Sequence, residues 1–398
     1  MYAQFCGILG LDDALILNIG EFVMTWKSLT IATLAVLASL ATCANTQDNG
    51  PYKVVKIQMT GGDGGFDYIY ADSVNRNLYV ARSGQAGHIP VYNLDTLAQV
   101  GDIPNTSAHG AAVDTATGHG FATSKPLTMF DAKTFAVIKK IDVQGNPDGY
   151  LNDAYNHRFY VLSHQAPNVT VIDDKDGAIL GTIDLGGMPE QAAADGHGKI
   201  YIDIEDKSAI AVVDANTMTM VGKYDVSSKG GGCAGLALDA KNGILFASCR
   251  EKNNMIILSA SDGHIITDLP TGVGSDGMVF NPATMEAFSS QGDGTITVVK
   301  ENSPTDFAVE ETVPTPARAK TITLDAKTGS LYLATSEYGP TPAAPAQGQI
   351  MAPMGGGTPM GAAAAGAPPQ GGPGGQAAPR RPNAPTIPNS FQILVVGK

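Results

Sequence analysis

The chain has 398 residues, with 38 acidic side chains against 25 Lys and Arg and a formal net charge of −13. Its basic residues gather into nothing larger than the Arg380–Arg381 pair, which argues against a basic nucleic-acid-binding face. No CxxCH haem motif accompanies the four cysteines, and at 43% hydrophobic residues the chain can bury a large core.

Residues 1–23 carry Asp12, Asp13 and Glu21 ahead of a segment that opens with Met24-Thr-Trp-Lys27. Leu29 to Leu40 is apolar, and Thr42-Cys43-Ala44 offers small residues for cleavage. This pattern reads as a signal peptide, because the apolar run falls short of the ~20 residues a membrane span needs. Residues 1–44 are therefore expected to be an extension plus signal peptide, with Met24 the true start. The mature protein is expected to be periplasmic or secreted. Leu40-Ala41-Thr42-Cys43 also resembles a lipoprotein box with Cys43 as the acylated residue, although Thr before Cys departs from that pattern.

From residue 51 onward one phrase recurs: an apolar run ending in Asp or Asn, a turn, a strand carrying an aromatic, a second apolar strand and a closing strand. The acid or amide falls at Asp72, Asp114, Asp153, Asp195, Asp239, Asn281 and Asp325, at intervals of 39 to 44 residues. A period of about 40 residues built from four short strands is the signature of a β-propeller blade. Strands are named A to D within each copy. The strand B aromatics are Tyr79, Phe121, Tyr160, Tyr201, Phe246, Phe288 and Tyr332. In the fifth copy the expected strands are 233–238, 244–249, 255–258 and 264–269, with Asn242-Gly243 making the first turn.

The seventh copy lacks a strand D. After Leu331 to Thr335, a Gly-, Ala- and Pro-rich stretch over 339–390 precedes the strand-like 391–396. Its composition cannot bury a core, so it is expected to be a disordered loop; its Met351, Met354 and Met360 are weak grounds for a Cu(I) site. The missing strand is expected at 52–59, which has no repeat of its own to join. The expected architecture is an all-β, seven-bladed propeller of four-stranded blades over 51–398, its ring closed by an N-terminal strand completing the last blade.

Segments such as NLYV at 77–80 and TVID at 170–173 make the repeats resemble the YVTN β-propeller repeats of bacteria, over roughly 52–337 and 391–397. The resemblance implies the propeller fold and an extracytoplasmic location. It implies no activity, since fold does not determine function.

Cys6 and Cys43 fall in the segment expected to be processed. Cys233 and Cys249 are each eight residues from Lys241 in the A–B turn, which places them opposite one another in an antiparallel hairpin. In an oxidising compartment they are expected to form a disulfide; in a reducing one they would be two small buried hydrophobes.

In a propeller the D–A and B–C loops share one face, and residues leading into strand A ring the channel there. Five residues before each anchor stand Asp67, His109, Asp148, Glu190, Ala234, Asp276 and Lys320. The acids with His109 form a candidate metal site, hard oxygens suiting Ca²⁺ or Mg²⁺ and His109 a transition metal. Crowded acids also raise one another's pKa. The alternative is plain turn chemistry with water in the channel. B–C loops add Arg82 and Arg250, suited to an anionic ligand, together with His164, Glu205 and other polar residues. His119, His157 and His197 fall in A–B turns on the opposite face.

Two functions fit these residues. One is an exported binding module, expected as a monomer, that recognises an extracytoplasmic protein, glycan or small ligand at the channel mouth. The other is a lactonase-like hydrolase whose divalent metal polarises a carbonyl while an acid or His109 activates water.

Overall fold

The computed structural model describes residues 50–340 and 384–398. The expected signal peptide at 1–44, with Cys6 and Cys43, lies outside the described residues, as do 341–383 with their three methionines.

The described residues form seven four-stranded antiparallel sheets. Blades 1 to 6 run in chain order over Gly65–Ile103, Ala108–Ile141, Pro147–Ile183, Pro189–Asp225, Cys233–Pro270 and Ser275–Pro314. Blade 7 takes Ile322–Leu324, Leu331–Thr335 and Gln392–Gly397, and its outermost strand is Lys53–Met59. That strand pairs antiparallel with the chain's last, from Lys53 opposite Gly397 to Met59 opposite Gln392. The innermost strands touch their neighbours all the way round, last to first. In blade 5 the strands are Cys233–Asp239, Ile244–Cys249, Asn254–Ser259 and Ile265–Pro270, within about a residue of expectation.

The repeating anchor has one physical job. At all seven positions its side-chain oxygen accepts a hydrogen bond from the backbone N–H two residues on, from Asp72 with Val74 at 3.0 Å to Asp325 with Lys327 at 3.1 Å. This is the Asx turn that ends strand A and starts the hairpin. Seven hydrophobic clusters follow, one between each neighbouring pair of blades. Every strand B aromatic is buried in one, and the hydroxyls of Tyr79, Tyr201 and Tyr332 donate to carbonyls of the next blade, at Ala132, Ala260 and Leu94. Apolar faces of twisted sheets pack against each other, so the core lies between blades and leaves the axis free.

Closure is reinforced beside the first strand. The Tyr52 hydroxyl donates to Glu286 Oε2 at 2.5 Å, and its backbone N–H donates to Glu311 Oε2 at 3.1 Å. Cys233 and Cys249 sit in register and form a disulfide, a bond that oxidising compartments favour. The stretch expected as a loop over 339–390 is ordered at both ends: Tyr338 bridges to Thr386, and Gly339 N–H donates to the Pro385 carbonyl at 2.8 Å. Among the described residues no helix is long and apolar enough to cross a membrane.

Candidate functional site

The ring positions share a local device. In blades 1 to 6 the ladder between strands A and B slips just where the ring residue sits, as between Phe66 and Ile69, Ala108 and Ala111, and Pro147 and Tyr150. The same slip recurs at Glu190, Ala234 and Asp276. A β-bulge re-aims a side chain out of the normal alternation. Here it presents each ring residue at the channel mouth.

The ring divides into two arcs of different chemistry. Over blades 1 to 4, His109 Nδ1 lies 2.9 Å from Asp67 Oδ2 and 3.1 Å from Asp148 Oδ1. His164, from the B–C loop of blade 3, places Nε2 3.2 Å from Asp148 Oδ2 and 3.5 Å from Glu190 Oε1. Two sets of possible ligand atoms result, Asp67–His109–Asp148 and Asp148–His164–Glu190, each within 4.8 Å. Over blades 5 to 7, Arg250 pairs with both Glu205 and Asp276, and Lys320 also pairs with Asp276. Ala234 adds no charge at the blade 5 position.

Gly149 explains how blades 3 and 4 come so close. A Cβ there would stand 2.2 Å from the Glu190 backbone carbonyl oxygen, so only glycine lets the two innermost strands meet at this height. Beneath the ring, Tyr68 forms a floor. Its hydroxyl reaches across from blade 1 to donate to the Glu190 carbonyl at 3.4 Å, and its ring packs edge-on against Tyr150 at 5.7 Å. Four other blades carry glycine at this step, Gly110, Gly149, Gly235 and Gly277. Gln191 ties the far wall: its Oε1 accepts from Leu236 N–H at 3.0 Å and Met278 N–H at 3.1 Å. Tyr68 also lines a 480 Å³ cavity, together with Tyr70, Tyr150, Val113 and Ile322 among others.

Electrostatics follow from this crowding. Burial pushes the Asp148 and Glu190 carboxyls up, their side chains being 13% exposed. The Asp67 carboxylate holds His109 above its ordinary value, and Glu190 alongside pushes His164 up to about 9. Burial works against the Lys320 charge, yet Asp276 outweighs it and raises the pKa. Burial, then Glu190, puts the Tyr68 hydroxyl well above its usual range, so it stays a neutral donor.

Of the residues singled out from sequence, Asp67, His109, Asp148, Glu190, Asp276, Lys320 and Arg250 are brought together. Arg82 is not. It is 3% exposed, its guanidinium lies 3.8 Å from the Phe391 ring centroid, and it donates to the Gly61, Gly62, Asp63 and Gly65 carbonyls. Its charge is spent on holding the loop before blade 1, which removes it from the ligand-facing set. His164 and Glu205 join the mouth from B–C loops; their place in the loop, not their spacing from an anchor, was the available signal. Tyr68 left a subtler one, an aromatic where most blades carry glycine.

Ring, floor and channel together define a β-propeller with a polar mouth, a fold consistent with a binding module. No family model matches the chain. It is 23% identical over 194 residues to the "Uncharacterized protein YncE" of Salmonella typhi and, to the same extent, to that of Salmonella typhimurium strain LT2. Each alignment covers 46% of this chain and 54% of the relative, so the chain spans about half the length of the curated relatives it matches. Solved structures with the same fold include the RRP9 WD40 repeats, at TM-score 0.61 and 9% identity over 71% of this chain and 91% of that one. U3-55K gives 0.60 and 10%, over 71% and 92%. A chain in the mitotic checkpoint complex gives 0.60 and 11%, over 71% and 88%. With the seven blades, these similarities support a β-propeller family.

Proposed function

We propose that this protein is an exported binding propeller of the YVTN-repeat kind that takes a small anionic ligand at its channel mouth, with help from a divalent transition-metal ion. The observation that carries the reading is the division of the ring. Two imidazoles and three carboxylates gather on one arc, and Arg250 with Lys320 stand on the other. Mixed imidazole and carboxylate donors suit Zn²⁺ or Mn²⁺ better than an all-oxygen Ca²⁺ set does. A carboxylate or phosphate lying across the mouth would meet the metal at one end and guanidinium or ammonium at the other. The disulfide supports an oxidising location.

The test is calorimetry with Mn²⁺, followed by succinate on apo and Mn²⁺-loaded protein. Mn²⁺ uptake, with succinate bound only by the loaded form and at least tenfold more weakly by Arg250→Ala, is the expected result. Absence of Mn²⁺ uptake overturns the reading. Metal-assisted hydrolysis of a lactone or ester is a second reading, favoured by Glu190, whose raised carboxyl beside His164 suits a proton carrier. Lactone turnover by loaded protein, lost in Glu190→Gln, would establish it.

A further inference from the structure

The two oxygens of Asp148 face different partners. Oδ1 lies 3.1 Å from His109 Nδ1, and Oδ2 lies 3.2 Å from His164 Nε2. Each imidazole has a further carboxylate oxygen beside it, from Asp67 at 2.9 Å and from Glu190 at 3.5 Å. Resting on the reading that the mouth takes a metal, we infer that it holds two divalent cations bridged by the Asp148 carboxylate, one in each triad.

Three observations carry this. First, the spacing fits. Donors about 2.1 Å from one ion at tetrahedral angles stand roughly 3.4 Å apart, and at right angles about 3.0 Å. The imidazole–carboxylate pairs of both triads span 2.9 to 3.5 Å, and all the ligand atoms of each triad lie within 4.8 Å of one another. Second, His164 Nε2 is buried from solvent and stands between two carboxylate oxygens, one from Asp148 and one from Glu190. A ring nitrogen flanked by carboxylate oxygens holds either a proton or a cation between them, and a divalent ion takes the proton's place with the imidazole as donor. Third, the charges suit the ligand: three carboxylates, two divalent ions and two imidazoles acting as neutral donors leave the arc net positive, which welcomes an anionic ligand between it and Arg250. Two ions sharing a carboxylate can clamp both oxygens of a phosphate or carboxylate group, which makes phosphoryl and carboxylate compounds the ligand class.

The test is Mn²⁺ stoichiometry after gel filtration, with electron paramagnetic resonance on the loaded protein. Wild type should hold two equivalents and give an exchange-coupled signal. Asp67→Asn and His164→Gln, each conserving shape, should keep one equivalent with the coupling lost. One equivalent in wild type, abolished by either variant, overturns the bridged pair but leaves the single-metal reading standing. Two equivalents indifferent to both variants place the ions elsewhere and overturn the inference. No uptake at all overturns both readings together.

Discussion

Gly149 lies so close to the Glu190 backbone that a methyl group between them would sit 2.2 Å from the carbonyl oxygen. Blade 3 and blade 4 therefore meet without a side chain between them, and Asp148 and Glu190 can share His164. Gly149→Ala must push one innermost strand outward, at a cost of about 1–3 kcal/mol for overpacking. We expect a lower urea midpoint with unchanged slope, and weaker Mn²⁺ binding at the mouth. A variant as stable as wild type would mean that the two strands are not in contact.

Asp276 pairs with both Arg250 and Lys320 through its two carboxylate oxygens. Asp276→Ala leaves two partly buried cations sharing one remaining carboxylate partner, Glu205 on Arg250. Anion affinity should rise, on the order of tenfold for succinate, or about 1.4 kcal/mol. The gain should fade in 1 M salt, where the Debye length is about 3 Å. Calorimetry at low and high salt checks this, and an unchanged low-salt affinity would mean the basic arc does not meet the ligand.

Asp174, 0% exposed, sits far from the mouth in the turn after strand C of blade 3. Burial pushes its carboxyl up to about 7, even though Asn152 donates to it at 2.6 Å. In the unfolded chain an Asp titrates near 3.9, so between roughly pH 4 and 7 the folded state binds the extra proton. Its contribution to stability is thus full below about pH 4 and lost as pH rises toward 7, and wild type loses on the order of 4 kcal/mol across that window through this group. Asp174→Asn should gain stability relative to wild type over the same rise. Urea unfolding of both proteins at pH 4.5, 6 and 8 measures the difference, and parallel curves would show that Asp174 is ionised throughout.

The blades were legible because the anchor acid, the strand B aromatic and the paired apolar runs each answer a local need repeated seven times. A turn wants an Asx side chain, and a blade interface wants a flat apolar face. The closing strand was legible by elimination, since an edge strand needs a partner. The mouth was half legible: positions counted back from the anchor gather because each blade places them at the same height. Arg82 misled because its neighbours suggested a loop while its guanidinium was claimed by four backbone carbonyls and an aromatic ring. His164 was seen only as a loop residue because its contact with Asp148 and Glu190 depends on how a B–C loop folds back, which no period encodes. The bulges that turn the ring residues inward are marked in composition only by the glycine that follows the ring residue in four blades.

Pairing Lys53–Met59 with Gln392–Gly397 gives the ring a fixed order of assembly. The first strand of the propeller must wait, unpaired, until the last has been made. Equilibrium barely registers that distance, because each doubling of a closed loop costs only about 0.6 kcal/mol. Time does register it, because contacts between remote segments form late. Until then blade 7 exposes a bare edge, and another chain's strand can claim it first. Residues 339–390, inserted in that same blade, add to the separation in sequence and lengthen the wait. Yield on refolding should therefore fall with protein concentration long before stability does.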